Sequence, residues 1–412
     1  MSDAPQAAAE ATPDAAAPQA DPQPAPQAAS QAAPPSDGQL ESPVELDAPP
    51  PPVAAVVDCP VCGTPTSAGE AFCESCGADL GRGTPLAEDT PDPEAAPIEI
   101  TSRSVPAGPA RAAGVVVVLP DLDARATTCL ACGGSVAEDG YCEQCGTPAR
   151  RPRDHFVELP VPWVGGVCDK GIRHARNEDA MALAGRPEPA SWAAVVVCDG
   201  VSSAPQSDVA ALAASRAARD VLSAPESEPP LTADELLTRA AAAANDAATK
   251  VAVGVKGPNP PSCTFVAALV ESGRAVVAWI GDSRAYWFPD GGTAVQISTD
   301  DSWAAEAMAH GLSREEAEKL PQAHAITRWL GADSPEGPPR TVTVDVSAPG
   351  WLLVCSDGLW NYCSAPEDLG ALLTATQARV GAEPVALAEA LTMWANEQGG
   401  HDNITTALVR CG

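Results

Sequence analysis

The chain has 412 residues and a formal net charge of −31, enough for one large domain with further modules. So acidic a polymer repels phosphate backbones, which argues against nucleic-acid binding. No stretch approaches the roughly 18 apolar residues of a membrane-spanning helix, the run Val115 to Leu119 being far too short. The N-terminus has neither a basic region nor an apolar segment of signal-peptide type, so the expected location is the cytoplasm, with no membrane partner.

Residues 1–55 are almost wholly Ala, Pro, Gln, Asp, Glu and Ser, and no Lys or Arg precedes Arg82. Too little apolar surface is available to offset chain entropy, and proline removes backbone donors. The segment reads as a disordered acidic arm, either a solvated tail or a segment for docking a protein partner or for phosphorylation. A first module (56–82) carries Cys59, Cys62, Cys73 and Cys76; a Pro- and acid-rich linker (83–125) follows; a second module (126–150) carries Cys129, Cys132, Cys142 and Cys145. Each quartet is two C-x-x-C knuckles closed by glycine, with an aromatic (Phe72, Tyr141) before the second knuckle. Four thiolates suit tetrahedral zinc, and the glycines let the backbone turn around the sulfurs. Disulfides fit a reducing compartment poorly, and a redox pair would want a strand-to-helix setting. The quartets resemble zinc ribbons, which implies two structural Zn²⁺ ions. With few basic residues nearby, they imply a protein contact or a structural cap.

From about Asp154 to residue 412 the composition becomes globular. Apolar runs at Trp163 to Cys168, Trp192 to Cys198, Cys263 to Val270, Ala275 to Ile280, Thr341 to Val346, Trp351 to Cys355 and Ile404 to Val409 read as strands. Stretches of helical period lie at 206–222, 232–252, 365–380 and 384–398. Grouped strands favour an α+β sandwich over a doubly wound parallel sheet. Cys168, Cys198, Cys263, Cys355, Cys363 and Cys411 read as small core residues.

Five acidic signatures punctuate this domain: Asn177-Glu178-Asp179, Asp199-Gly200, Gly281-Asp282-Ser283-Arg284, Ser356-Asp357-Gly358 and His401-Asp402-Asn403. Carboxylates at the ends of core strands can converge in space, and such a cluster is costly unless cations neutralise it. A site for a hard metal follows.

In order and spacing these signatures resemble the metal-dependent serine/threonine phosphatases of the protein phosphatase 2C type. Pro261 to Thr264, Gln296 to Asp301, Ile326 to Arg328, Leu330-Gly331 and Asp402 to Thr405 extend the likeness, which runs from about Trp163 to Cys411. The resemblance implies an α+β fold of two stacked antiparallel sheets flanked by helices, with a dinuclear Mn²⁺ or Mg²⁺ site. It implies phosphoserine and phosphothreonine of proteins as substrates, direct attack by metal-activated water, and opposition to bacterial Ser/Thr kinases. Carried over residue by residue, Asp199 bridges the two metals, Asp357 and Asp402 complete one set of ligands, and Glu178 and the Gly200 carbonyl serve the other ion, with Asp179 in support. The C-x5-R spacing of cysteine phosphatases occurs only at Cys76 to Arg82 and Cys145 to Arg151, within the zinc quartets.

The chain also departs from the family pattern. His174 stands where many relatives carry a phosphate-holding Arg, so phosphate contact is expected from His174 or Arg173. Val201-Ser202-Ser203 follows Gly200, so no histidine general acid stands there. Asn361 follows Trp360 where many relatives have an Asp, which predicts a weakened third-ion site with Asp282 as its remaining carboxylate. The alternative is a structural Gly281 to Arg284 turn with Arg284 paired locally. Ser302 to Ala325 reads as an exposed, partly helical insert, matching a flap near the site in the family. Two other functions compete: a non-hydrolysing binder of phosphoproteins, against which Asp199, Asp357 and Asp402 argue, and an adaptor acting through its zinc ribbons and acidic arm.

Overall fold

The computed structural model describes residues 56–58, 65–67 and 112–412, apart from 123–125, 130, 226, 256–258 and 336. The acidic arm and Cys59, Cys62, Cys73 and Cys76 lie outside the described residues. Strands β1 (Val56–Asp58) and β2 (Pro65–Ser67) pair antiparallel on either side of the first knuckle.

The remaining strands are β3 (Val116–Val117), β4 (His155–Val161), β5 (Val164–Asp169), β6 (Ala180–Gly185), β7 (Trp192–Cys198), β8 (Ser262–Cys263), β9 (Phe265–Glu271), β10 (Arg274–Ile280), β11 (Arg284–Pro289), β12 (Val295–Gln296), β13 (Leu330–Gly331), β14 (Arg340–Asp345), β15 (Gly350–Cys355) and β16 (Ile404–Cys411). They build two antiparallel six-stranded sheets, ordered β14-β10-β9-β7-β6-β3 and β12-β11-β15-β16-β5-β4, plus the small pair β13-β8. Helices α1 (Ser207–Leu222) and α2 (Ala233–Val251) cover the first sheet, and α6 (Pro366–Val380) and α7 (Pro384–Gln398) cover the second. Between them in sequence lie α3 (Trp303–Ala309) and α4 (Arg314–Ala317), which occupy the expected insert, and the short α5 (Asp357–Trp360).

Inner strands β7 and β15 carry no polar side chain because both of their faces are buried. On β7, Ala193, Val195 and Val197 face the core between the sheets, while Ala194, Val196 and Cys198 face α1 and α2. On β15, Leu352 and Val354 enter the same central core, and Trp351, Leu353 and Cys355 face the α6 and α7 side. Small side chains let α1 and α2 pack closely, with Ala210, Ala214, Ala218, Ala240, Ala244 and Ala248 all fully buried. Thr232 closes the start of α2 with a reciprocal capping box to Glu235, and α6 and α7 each open on a proline.

One expectation needs correction. The linker assigned to 83–125 ends inside the sandwich: Val116 and Val117 pair with Gly185 and Ala184 of β6, and Leu122 sits in the central core. The physical reason is the sheet edge, whose unpaired backbone groups β3 covers. Cys168, Cys198, Cys263, Cys355 and Cys411 are buried and Cys363 is half-buried, as read from the sequence.

Candidate active site

Four acidic signatures sit where a chain leaves or enters a central strand. Asp199 follows β7, Glu178 and Asp179 precede β6, Asp357 follows β15 by one residue, and Asp402 precedes β16. Asp282 lies between β10 and β11. The antiparallel pairing of these strands brings one set of ends together. Burial pushes the Asp199 carboxyl well above the usual range, and the charges of Asp179, Asp357, Asp402 and Asp282 push it further. Burial and Asp357 do the same to Asp402, and burial, Asp357 and Asp300 to Asp282.

Close backbone approach explains the glycines beside these acids. A Cβ on Gly200 would come within 2.8 Å of the Glu178 carbonyl oxygen, and one on Gly358 would overlap the Asn403 carbonyl. The Asp199 amide is held by Thr264 Oγ1 at 3.0 Å, and Thr264 N donates back to the Asp199 carbonyl at 2.7 Å.

The acidic loop 177–179 is fixed from several directions. Asp179 Oδ2 accepts from Ser356 Oγ at 2.6 Å and Thr405 Oγ1 at 2.7 Å, and its carboxyl rises to about 6 through burial and the charge of Asp357. Asn403 Oδ1 accepts from the Glu178 amide at 2.7 Å. Glu178 itself is buried, yet its carboxyl falls to about 2. Burial alone would raise it, but His174, Ser207 and Arg176 together outweigh that. Ser202, beside Asp199-Gly200, donates to Glu178 Oε2 at 2.8 Å.

His174 is only 4% exposed and lies between two carboxylates. Its Nδ1 is 3.7 Å from Glu178 Oε2, and its Nε2 is 3.2 Å from Asp402 Oδ1 without hydrogen-bond alignment. Burial opposes protonation, but Glu178, Asp402 and Asp357 raise its pKa overall. Arg173 is exposed, and its charge acts on the Tyr362 phenol together with those of Asp402 and Asp357.

Arg284 grips Asp300 with contacts of 2.7, 2.9 and 3.1 Å and stacks 3.4 Å above the Trp360 ring. Trp360 Nε1 in turn donates to the Asp282 carbonyl at 3.1 Å. The signature is thus a braced turn as well as a carboxylate carrier. Asn361 donates to Asp357 Oδ2 at 2.9 Å, where an acid would instead repel it.

The second cysteine quartet also comes together. Cys129, Cys132, Cys142 and Cys145 place their sulfurs within 4.8 Å of one another, with Cys129 to Cys145 at 3.7 Å and Cys132 to Cys142 at 3.4 Å. Zinc–sulfur bonds of roughly 2.3 Å in a tetrahedron put sulfurs roughly 3.8 Å apart. Gly133 and Gly146 close the two knuckles at positive φ, each donating to the first cysteine of its knuckle.

The family profile described as Protein phosphatase 2C matches residues 172–394. The chain belongs to the protein phosphatase 2C family. A serine/threonine phosphatase, stp, of Listeria welshimeri is 30% identical over 246 residues, spanning 58% of this chain and 92% of the relative. The protein phosphatase PhpP of Streptococcus pneumoniae is 37% identical over 146 residues, spanning 35% of this chain and 55% of the relative. The crystal structure of the serine/threonine phosphatase Stp1 from Staphylococcus aureus shares the fold at a TM-score of 0.50 and 23% identity, covering 60% of this chain and 94% of that one. This phosphatase 2C chain is therefore a protein serine/threonine phosphatase acting on phosphoproteins. Among its described residues no helix is long and apolar enough to cross a membrane.

The phosphatase 2C family uses Mn²⁺ or Mg²⁺, and the residues present fit such ions. Asp179 Oδ1 and Asp357 Oδ1 are buried and accept no hydrogen bond, which native proteins seldom tolerate without a partner. The donors are carboxylates and carbonyls, the ligands hard divalent cations prefer. Sequence reasoning quoted Ser202, Ser356, Asn403 and Thr405 within its motifs without giving them a supporting role, and it missed Ser207 and Arg153, since neither has a distinctive spacing.

Proposed function

We propose that this phosphatase hydrolyses phosphoserine and phosphothreonine by direct attack of water at a site for two Mn²⁺ or Mg²⁺ ions. The convergence of Asp199, Asp357, Asp402, Asp179 and Asp282 on one end of the sandwich carries the reading. Asp199 would be shared between the ions, Asp357 and Asp402 would serve one, and Glu178 and the Gly200 carbonyl the other, with Asp179 behind them. Bound there, the pair of ions would activate water and offset charge on the phosphoryl oxygens. Arg173, exposed beside the cluster, would contact the substrate phosphate, while buried His174 would lie between Glu178 and Asp402. Asn361 would leave a third-ion position at Asp282 weaker than one framed by a further acid.

The phosphatase domain would occupy 154–412, joined by the β3 strap, with two four-cysteine modules before it as structural Zn²⁺ sites. Hydrolysis of a phosphothreonine peptide with and without Mn²⁺, alongside Asp199→Asn, tests the mechanism. Loss of turnover in both cases is expected; metal-independent turnover, or full activity in the variant, overturns it. Elemental analysis of reduced protein should find roughly two zinc ions per chain, and finding none refutes the ribbons.

A further inference from the structure

Between the second module and β4 runs a short segment that the phosphatase 2C match, which begins at residue 172, does not include. The module holds the chain as far as Ala149, whose amide donates to the Gly140 carbonyl at 2.7 Å. The next residue, Arg150, donates to Asp169 Oδ2 at 2.6 Å. Asp169 ends β5 and starts the loop leading to Glu178; it also accepts from His155, Asn396 and the Gly171 amide.

A 3-10 turn, Pro152–Asp154, then carries Arg153 beneath the acidic loop. Arg153 Nη2 donates to the Asp179 carbonyl at 2.8 Å and the Asp208 carbonyl at 2.9 Å, and its Nε to the Asn177 carbonyl at 3.4 Å. Asn177 Nδ2 returns a bond to the Arg153 carbonyl at 3.0 Å. One guanidinium thus ties the peptide groups on both sides of Glu178 to the start of α1. Its planar fork is suited to this, since it offers several donors in fixed directions.

We propose that Arg153 is a positioning residue for the acidic loop, and that the folded four-cysteine module sets Arg153 in place and so tunes the metal affinity of the active site. The inference rests on the reading of Glu178 and Asp179 as metal-site residues. Groups that orient ligands from behind commonly change metal affinity about tenfold or more when removed.

The test is Mn²⁺ titration by calorimetry on the full chain, with peptide hydrolysis alongside. Arg153→Ala should weaken Mn²⁺ binding about tenfold and lower turnover at limiting Mn²⁺, with KM for the peptide unchanged once Mn²⁺ saturates. Arg153→Lys, which keeps the charge but not the fork, should recover part of the loss and stands in if the alanine variant does not fold. A Cys132→Ser/Cys145→Ser chain should lose zinc and shift Mn²⁺ affinity in the same direction. An Arg153→Ala chain with lowered melting temperature but wild-type Mn²⁺ affinity overturns the positioning role. Wild-type Mn²⁺ affinity in the zinc-free cysteine variant overturns the module's part. A wild-type chain that binds no Mn²⁺ instead overturns the metal reading on which the inference rests.

Discussion

Glu158 lies on β4 with only 2% of its surface exposed, and its Oε2 accepts from the Leu183 amide at 2.7 Å. Burial raises its carboxyl from 4.5 to about 7, although the Leu183 N–H and the charges of Arg219 and Arg216 act the other way. An acid whose pKa is raised by folding contributes its full stability below the unfolded value, near 4.5, and loses it as pH rises through about 7. A rise of this size corresponds to about 3 kcal/mol, lost by about pH 8 when the folded protein must hold a buried carboxylate. Glu158→Gln keeps the volume and an acceptor for Leu183 but cannot ionise. It should therefore match or fall slightly below the wild type at about pH 5 and exceed it by up to about 3 kcal/mol at about pH 8. For a domain of this size that is roughly 6–12 °C in melting temperature. Thermal unfolding of both chains across this range measures it, and the difference between them cancels the titration of the active-site carboxylates. Parallel curves of melting temperature against pH would refute the argument.

Three further outcomes follow from the site. Arg284→Ala should destabilise the domain by about 3–5 kcal/mol, since it strands the buried Asp300; urea unfolding checks this, and a loss below about 1 kcal/mol would contradict it. In metal-free protein near neutral pH, Asp199→Asn should raise the melting temperature while abolishing turnover, because a neutral group relieves repulsion from Asp179, Asp357, Asp402 and Asp282; an unchanged or lower melting temperature counts against a crowded cluster. Gly358→Ala should cost about 1–3 kcal/mol through overlap with the Asn403 carbonyl and weaken Mn²⁺ binding, since Asn403 holds the Glu178 amide; calorimetry and thermal unfolding together read both effects.

What the sequence showed and what it hid divide along physical lines. β7 was legible residue for residue because burial on both faces leaves one unbroken apolar run, Trp192–Cys198. β6 (Ala180–Gly185) is just as buried but reads Ala-Met-Ala-Leu-Ala-Gly, whose side chains have little strand preference; its strand state comes from lying between β3 and β7. β4 hid behind Glu158 and Pro160, and β11 behind the Gly-Asp-Ser-Arg turn from which it starts. The carboxylates were legible because acids at the ends of apolar runs are conspicuous. The roles of their supports were not, because a serine or threonine donating to a carboxylate, or an arginine donating to backbone carbonyls, leaves no pattern at any spacing. Arg153 is the plainest case: Arg-Pro-Arg-Asp looks like a hydrophilic joint between two modules. Only the folded chain turns that guanidinium inward onto the carbonyls of Asn177 and Asp179. Ala149, held by the module, and Arg153, bonded on both sides of Glu178, are thus near neighbours along the chain, although the sequence reads module and loop as separate.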